Sequence, residues 1–201
     1  VTLECGDAFV EPGYTATDVE DGPLTGSVVV AGDTVDTSTP GTYNITYDVT
    51  DSSLNAAVQM VRTVEVSDTD PPVISLNGGN MAVECGDSFV DPGATASDSC
   101  AGDLSGLIVV AGDVVDTSTP GVYVITYKGS DGVNSATQKT RTVTVSDTTP
   151  PTLSLLGGSS VTLACGKPYI DAGATADDDC VGLLTDAIVI GGDSVDVSTA
   201  G

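Results

Sequence analysis

Carboxylates, Tyr, Lys and thiols are the groups in this 201-residue chain that could do chemistry, and cysteine and aspartate are the two whose spacing carries a signal. Of the five cysteines, Cys85 and Cys100 lie 15 residues apart, as do Cys165 and Cys180, whereas the same step from Cys5 lands on Glu20. The spacing predicts one disulfide within each pair, which suits an oxidising compartment. Closing a loop of that size is worth ~3 kcal/mol in the chain-entropy picture. Cys5 is then left over, as a relic thiol or as half of an intermolecular bridge. A zinc site is the rival reading, but two thiols without histidine or a second Cys-x-x-Cys are too few ligands.

The aspartates fall in three kinds of segment. Asp68 and Asp70, and later Asp147, sit in Asp-Thr stretches ahead of paired prolines. Asp18, Glu20 and Asp21, then Asp98 and Asp103, then Asp177, Asp178 and Asp179 follow a Thr-Ala step, and Asp51 with Asn55 and Asp131 with Asn134 mark a turn before the last strand. Calcium takes six to eight oxygens from carboxylates, amides and carbonyls. The calcium candidates are headed by Asp68, Asp70, Asp98 and Asp131, with Asp18, Asp21, Asp51, Asp103, Asp147 and Asp178 around them or at matching positions. The competing reading makes them turn residues and solubilising charge, because Asp satisfies backbone groups in turns. No EF-hand loop is present.

Other functions are excluded by composition. Five Lys and Arg against 29 Asp and Glu leave a net charge of −24, which repels nucleic acid and anionic membrane. Without histidine there is no Ser-His or Cys-His relay. The Gly-Asp-x-Val-Asp pairs Asp33/Asp36, Asp113/Asp116 and Asp193/Asp196 recur three times, which fits a polar turn and not a single hydrolytic carboxylate pair. No enzyme is expected. Sugar binding is weakened by the absence of Trp and the few Tyr and Phe that could form a platform. Asn44-Ile45-Thr46 fits the glycosylation acceptor pattern, in the first copy alone.

The elements that position these residues come from a repeat. VTLECGDAFVEPGYTATD from Val1 returns as MAVECGDSFVDPGATASD from Met81 and as VTLACGKPYIDAGATADD from Val161, a period of 80 residues. A second block ends at Gly41, Gly121 and Gly201, and Arg62-Thr-Val returns from Arg141. Paired prolines stop strand pairing and mark linkers. The expected domains are therefore 1–67, lacking its first strand; 68–146, complete; and 147–201, lacking its last strands. The counterpart of residues 42–80 is missing from the third copy, as in a window cut from a longer array or a protomer completed by its neighbours. Strands are expected at Thr42–Asp48, Val73–Leu76, Met81–Cys85, Ala94–Ser97, Leu107–Val110, Val122–Tyr127 and Ala136–Val145, with no helical spacing in any window and no apolar run long enough to span a membrane. About seven short strands per repeat is the count of a small β-sandwich, so the fold class is all-β, a tandem array of sandwiches. Tyr43 and Tyr123, after Pro-Gly, fit a tyrosine corner, and Phe9, Phe89 and Tyr169 fit core positions.

The Pro-Pro linker, the VECGDSFVDPGATASD segment, VVAGDVVDTSTPGVYVITY and the RTVTV ending resemble the bacterial immunoglobulin-like repeats of secreted and cell-surface proteins, in a style close to hyalin-type repeats. The resemblance implies tandem spacers, adhesive modules or accessory domains of large extracellular proteins, although one sandwich serves many roles. The expectation is a structural or adhesive stalk, with neighbouring copies of itself, adjacent repeats or a surface receptor as partners and calcium at the joints. Two forms of it differ: a building block of an extracellular filament, or a spacer or accessory module, carbohydrate-binding included, of a larger secreted enzyme.

Overall fold

The computed structural model describes residues 1–199; Ala200 and Gly201, which end the third copy of the Val-Asp-x-Ser-Thr block, lie outside them. The first copy holds β1 (Thr2–Glu4), β2 (Thr17–Asp18), β3 (Gly22–Pro23), β4 (Val29–Gly32), β5 (Gly41–Asp48) and β6 (Met60–Ser67). The second holds β7 (Val73–Leu76), β8 (Met81–Glu84), β9 (Ala94–Asp98), β10 (Gly102–Asp103), β11 (Val109–Gly112), β12 (Gly121–Lys128) and β13 (Lys139–Ser146). The third holds β14 (Thr152–Leu155), β15 (Ala174–Asp178) and β16 (Gly182–Leu183). Helical structure among the described residues is confined to three short 3-10 turns, at Thr25–Ser27, Ser105–Leu107 and Thr185–Ala187. The chain is thus all-β, and among the described residues no helix is long and apolar enough to cross a membrane.

Two compact units divide the chain: residues 1–78, 92–111 and 126–140 form one, and residues 79–91, 112–125 and 141–201 the other. In the first unit a four-stranded sheet runs β1-β6-β5-β4, with β1 parallel to β6 and the other pairs antiparallel. Its strands form where β-branched and aromatic residues alternate with polar ones. Ile45 and Tyr47 of β5 meet Val64 of β6 in the core, and Leu3, Phe9, Val28, Val35 and Tyr43 pack against them. Phe9 is half-buried, closing one side of this cluster. The same unit contains the sheet β10-β9-β7, in which Val73 lies opposite Ser97 and Leu76 opposite Ala94.

In the second unit β8 lies parallel to β13, pairing Met81 with Val143 and Glu84 with Ser146, and β14-β15-β16 form an antiparallel sheet. Val83, Val143 and Val145 are buried there. Arg141 is fully buried, ion-paired with Asp91 and donating from Nε to the Gly79 carbonyl at 3.2 Å. Such a charge is tolerated because its partners replace the lost water.

Two strand starts of the sequence reading move by more than one residue, and the one expected at Ala136 falls at Lys139. The strand expected over Leu107–Val110 starts later, because the Asp103 carboxylate accepts from the Ser105 N–H at 2.9 Å and folds Ser105–Leu107 into a turn. The recurrent Asp pairs hold turns, as expected: Asp33 and Asp113 accept from the N–H of Asn44 and Val124 at 2.7 Å, and Asp36 and Asp116 accept from Ser38 and Ser118. Tyr43 and Tyr123 donate to the carbonyls of Thr39 and Thr119 at 2.8 Å, the contact of a tyrosine corner.

Candidate functional site

The site grows from three consecutive residues, Glu4-Cys5-Gly6, at the end of β1. Each engages the second copy. Glu4 accepts from the N–H groups of Thr69 and Asp70 at 2.8 and 3.2 Å, and the Thr69 hydroxyl beside it holds its carboxyl below the usual range. Cys5 forms a disulfide with Cys100, with the two Cα atoms 5.2 Å apart. Gly6 adopts φ +89°, and a Cβ there would stand 3.3 Å from Ser99, so a side chain would strain the backbone and push the turn after β9 back by a few tenths of an ångström.

The same device recurs once. Glu84 accepts from Thr148 and Thr149 at 2.6 and 3.0 Å, Cys85 is bonded to Cys180, and a Cβ on Gly86 would be 3.0 Å from the Asp179 carbonyl. In the third copy Ala164 stands in place of the glutamate, Cys165 is an exposed free thiol and Gly166 has open space beside it.

These bonds correct the disulfide assignment. Cys85 is bonded to Cys180 and not to Cys100, Cys180 is not bonded to Cys165, and Cys5 is no relic, being among the most buried residues of the chain at 1% exposure. Both bonds span 95 residues, one period more than the 15 that separates the cysteines within a copy. The physical reason lies in placement. The first cysteine ends the strand that closes the sheet edge, and the second lies in a turn pinned to its own Asp98 or Asp178, whose Oδ1 accepts from the Cys100 and Ala101 or Cys180 and Val181 N–H groups at 2.8–2.9 Å. That turn lies against the Cys-Gly step of the preceding copy.

Beside the first disulfide, carboxylate oxygens of Asp68, Asp98 and Asp131 come within 4.8 Å of one another. Asp98 spends Oδ1 on its turn, and Asp131 spends Oδ1 on the N–H groups of Val133 and Asn134 at 2.6 Å. Their Oδ2 atoms are buried without a hydrogen-bond partner. Asn134 donates to the Asp68 carbonyl and to Asp68 Oδ1 at 3.3 and 3.4 Å, and to the Asp70 carbonyl at 3.3 Å. Burial, then the charges of Asp98, Asp131, Glu4 and Asp70, push the Asp68 carboxyl up, while the Asn134 and Val133 N–H groups pull Asp131 down. Converging carboxylates with buried unsatisfied oxygens form an oxygen-rich set of the kind that hard divalent cations take. The donors present, three carboxylates with amide and carbonyl oxygens next to them, fit calcium better than zinc, which wants nitrogen or sulfur.

The remaining candidates divide. Asp70 lies in the same linker but presents its backbone, not its carboxylate, to Asn134. Asp103 stands outside the triad, its carboxyl lowered by Ser105. Asp147 and Asp178 repeat the arrangement in the second unit: burial and then the charges of Asp178 and Glu84 raise Asp147, and Asp178 is itself buried. In the first copy Asp51 holds Asn55 through both oxygens, Asp18 caps Glu20 and Asp21, and Asp21 accepts from Ser52. The sequence reading put Asp68, Asp98 and Asp131 among its four leading candidates, with Asp70, but missed the Glu-Cys-Gly step. The invariance of Cys-Gly across three copies, beside a second cysteine in only two, was the available signal.

The chain is similar to known proteins. It is 33% identical over 136 residues to the pesticidal crystal protein Cry22Aa of Bacillus thuringiensis, a match covering 65% of this chain and 18% of that protein. The lipoprotein BT2262 of Bacteroides thetaiotaomicron matches at 32% identity over 39% of each chain, with a TM-score of 0.34. The CBM51-2 and INT domains of ZmpB from Clostridium perfringens, in complex with GlcNAc, match at 24% identity over 48% of this chain and 21% of that one, with a TM-score of 0.32. The chain spans under a fifth of the curated relative and about two fifths of the lipoprotein. Residues 1–66, 74–145 and 153–201 each match the bacterial surface protein Ig-like domain, and the chain belongs to that family.

Proposed function

We propose that the chain is a structural segment of a secreted or surface-displayed bacterial protein, a non-catalytic stalk whose joints are closed covalently and braced by calcium. The observation that carries this reading is the coincidence, within one unit, of the Cys5–Cys100 bond between consecutive copies and the Asp68, Asp98 and Asp131 cluster beside it. A disulfide across the joint keeps successive repeats together when a domain opens. A cation at the cluster stiffens the linker, because it replaces mutual repulsion of the carboxylates with shared ligation. Calcium titration of the intact, oxidised chain by calorimetry tests the reading. Micromolar to millimolar binding that Asp98→Asn and Asp131→Asn each weaken supports it, and no heat above that of dilution removes the cation from it.

A second reading keeps the same mechanics but makes the segment a spacer or accessory module of a larger secreted protein. Its support is the relative of which the matched repeats are less than a fifth. Pulling down whole surface proteins with the chain favours adhesion, whereas an inert chain attached to an active neighbouring domain favours the spacer. Assembly into a filament extends the first reading, and fibres that grow with protein concentration under the electron microscope are its sign.

A further inference from the structure

Both cysteines of the first joint stand next to residues that hold the acidic cluster. Cys100 follows Asp98 by two residues, and its N–H, with that of Ala101, donates to Asp98 Oδ1 at 2.8 and 2.9 Å. With one oxygen so fixed, the other, Oδ2, is buried and has no hydrogen-bond partner. Cys5 follows Glu4, whose carboxylate accepts from the N–H groups of Thr69 and Asp70, the two residues after Asp68. The Cys5–Cys100 bond therefore ties the turn that aims Asp98 to the strand end that seats the linker carrying Asp68. Asp131 is aimed separately, by the Val133 and Asn134 N–H groups.

The order of residues is the same at the second joint. Glu84 precedes Cys85 and holds Thr148 and Thr149, the residues after Asp147, and Asp178 accepts from the Cys180 and Val181 N–H groups at 2.9 Å. Each bonded pair thus joins a Glu-Cys step to an Asp-x-Cys step. Tensile strength alone does not require a disulfide two residues from a cluster carboxylate in both joints.

We propose that the Cys5–Cys100 disulfide is a redox control on the Asp68, Asp98 and Asp131 site, the divalent cation and the oxidised joint each favouring the other; this rests on the calcium reading above. Opening the bond takes two electrons and two protons from a dithiol, which leaves as its own disulfide, and yields two thiols. The end of β1 is then free of the turn after β9, so Asp68 and Asp98 are no longer held together and gathering them falls to the cation. Linkage makes the effect reciprocal: the factor that reduction removes from calcium affinity is the factor that saturating calcium adds to the preference for the disulfide.

Calcium is titrated by calorimetry into the intact chain before and after reduction by a dithiol, with circular dichroism reporting whether the reduced chain keeps its strands. Affinity at least tenfold weaker in a reduced chain that stays folded is expected. Should the reduced chain unfold, the oxidised chain carries the test. Equilibrated in a dithiol redox buffer and mapped by alkylation, Cys5 and Cys100 should stay bonded at an at least tenfold higher ratio of dithiol to its disulfide in calcium than in chelator. Asp131→Asn, which leaves the Cys100 turn intact, should abolish that difference. A chain that binds calcium equally in both redox states, or whose Cys5–Cys100 bond opens at the same ratio with and without calcium, overturns the inference and leaves the calcium reading standing. No calcium binding by the oxidised chain overturns both.

Discussion

At the residue scale, Asp68 is where the proposed cation site and the rival reading of acidic turns predict different outcomes. Its carboxyl is raised by burial and by four neighbouring acids. A carboxyl whose folded value lies above its unfolded value stabilises the protein fully only below the unfolded value, ~3.9 for Asp, and that stabilisation is lost as pH rises through the raised folded value. Asp68→Asn is therefore expected to raise the melting temperature in chelator and to lower it in calcium, an inversion that calorimetry in the two buffers reads directly. For the same reason protons compete with the cation, so calcium affinity falls as pH drops from neutral through the raised Asp68 value. Titrations at pH 7 and near pH 5 check this, and equal affinities at both would contradict it.

At the element scale, the end of β1 and the turn after β9 act as one piece, though 95 residues separate their cysteines. Cys5→Ser and Cys100→Ser should cost the same and the double variant no more, up to about 5 kcal/mol for a loop of this length. Non-reducing peptide mapping should recover Cys5 with Cys100 and Cys85 with Cys180. Glycine separates conformation from contact. Gly6 and Gly166 share φ near +85°, but only Gly6 has a turn pressed against it. Gly6→Ala should therefore destabilise by more than Gly166→Ala, the latter costing about 1 kcal/mol from backbone strain alone; denaturant melts of the two variants measure the difference.

Much of this scale was legible in the sequence. Alternation along Tyr43, Ile45 and Tyr47 located β5, and the Pro-Pro steps located the start of β7 and β14. The disulfide partners were not legible, because loop entropy favours the nearer cysteine while the fold sets each cysteine against the next copy. Nothing local marks which copy a buried strand end will face.

At the scale of the molecule, the charge of −24 is not spread evenly. Part of it collects in the Asp68, Asp98 and Asp131 cluster, and Asp147 with Asp178 repeats two thirds of that cluster one period later. The sequence showed which acids recur but not which meet: Asp70 stood with Asp98 among the leading candidates, yet it is its backbone carbonyl that meets Asn134, and Asp103, a secondary candidate, is held by Ser105. The family is that of bacterial surface protein Ig-like domains; in the stalk proposed above, covalent joints would resist pulling and like charge would oppose nonspecific association. The measurement that tests the cation-braced joint most directly is the melting temperature of the oxidised chain in millimolar calcium and in chelator. The account predicts a clear rise with calcium that vanishes in the Asp98→Asn, Asp131→Asn double variant, and identical melting of the unaltered chain in both buffers would contradict it.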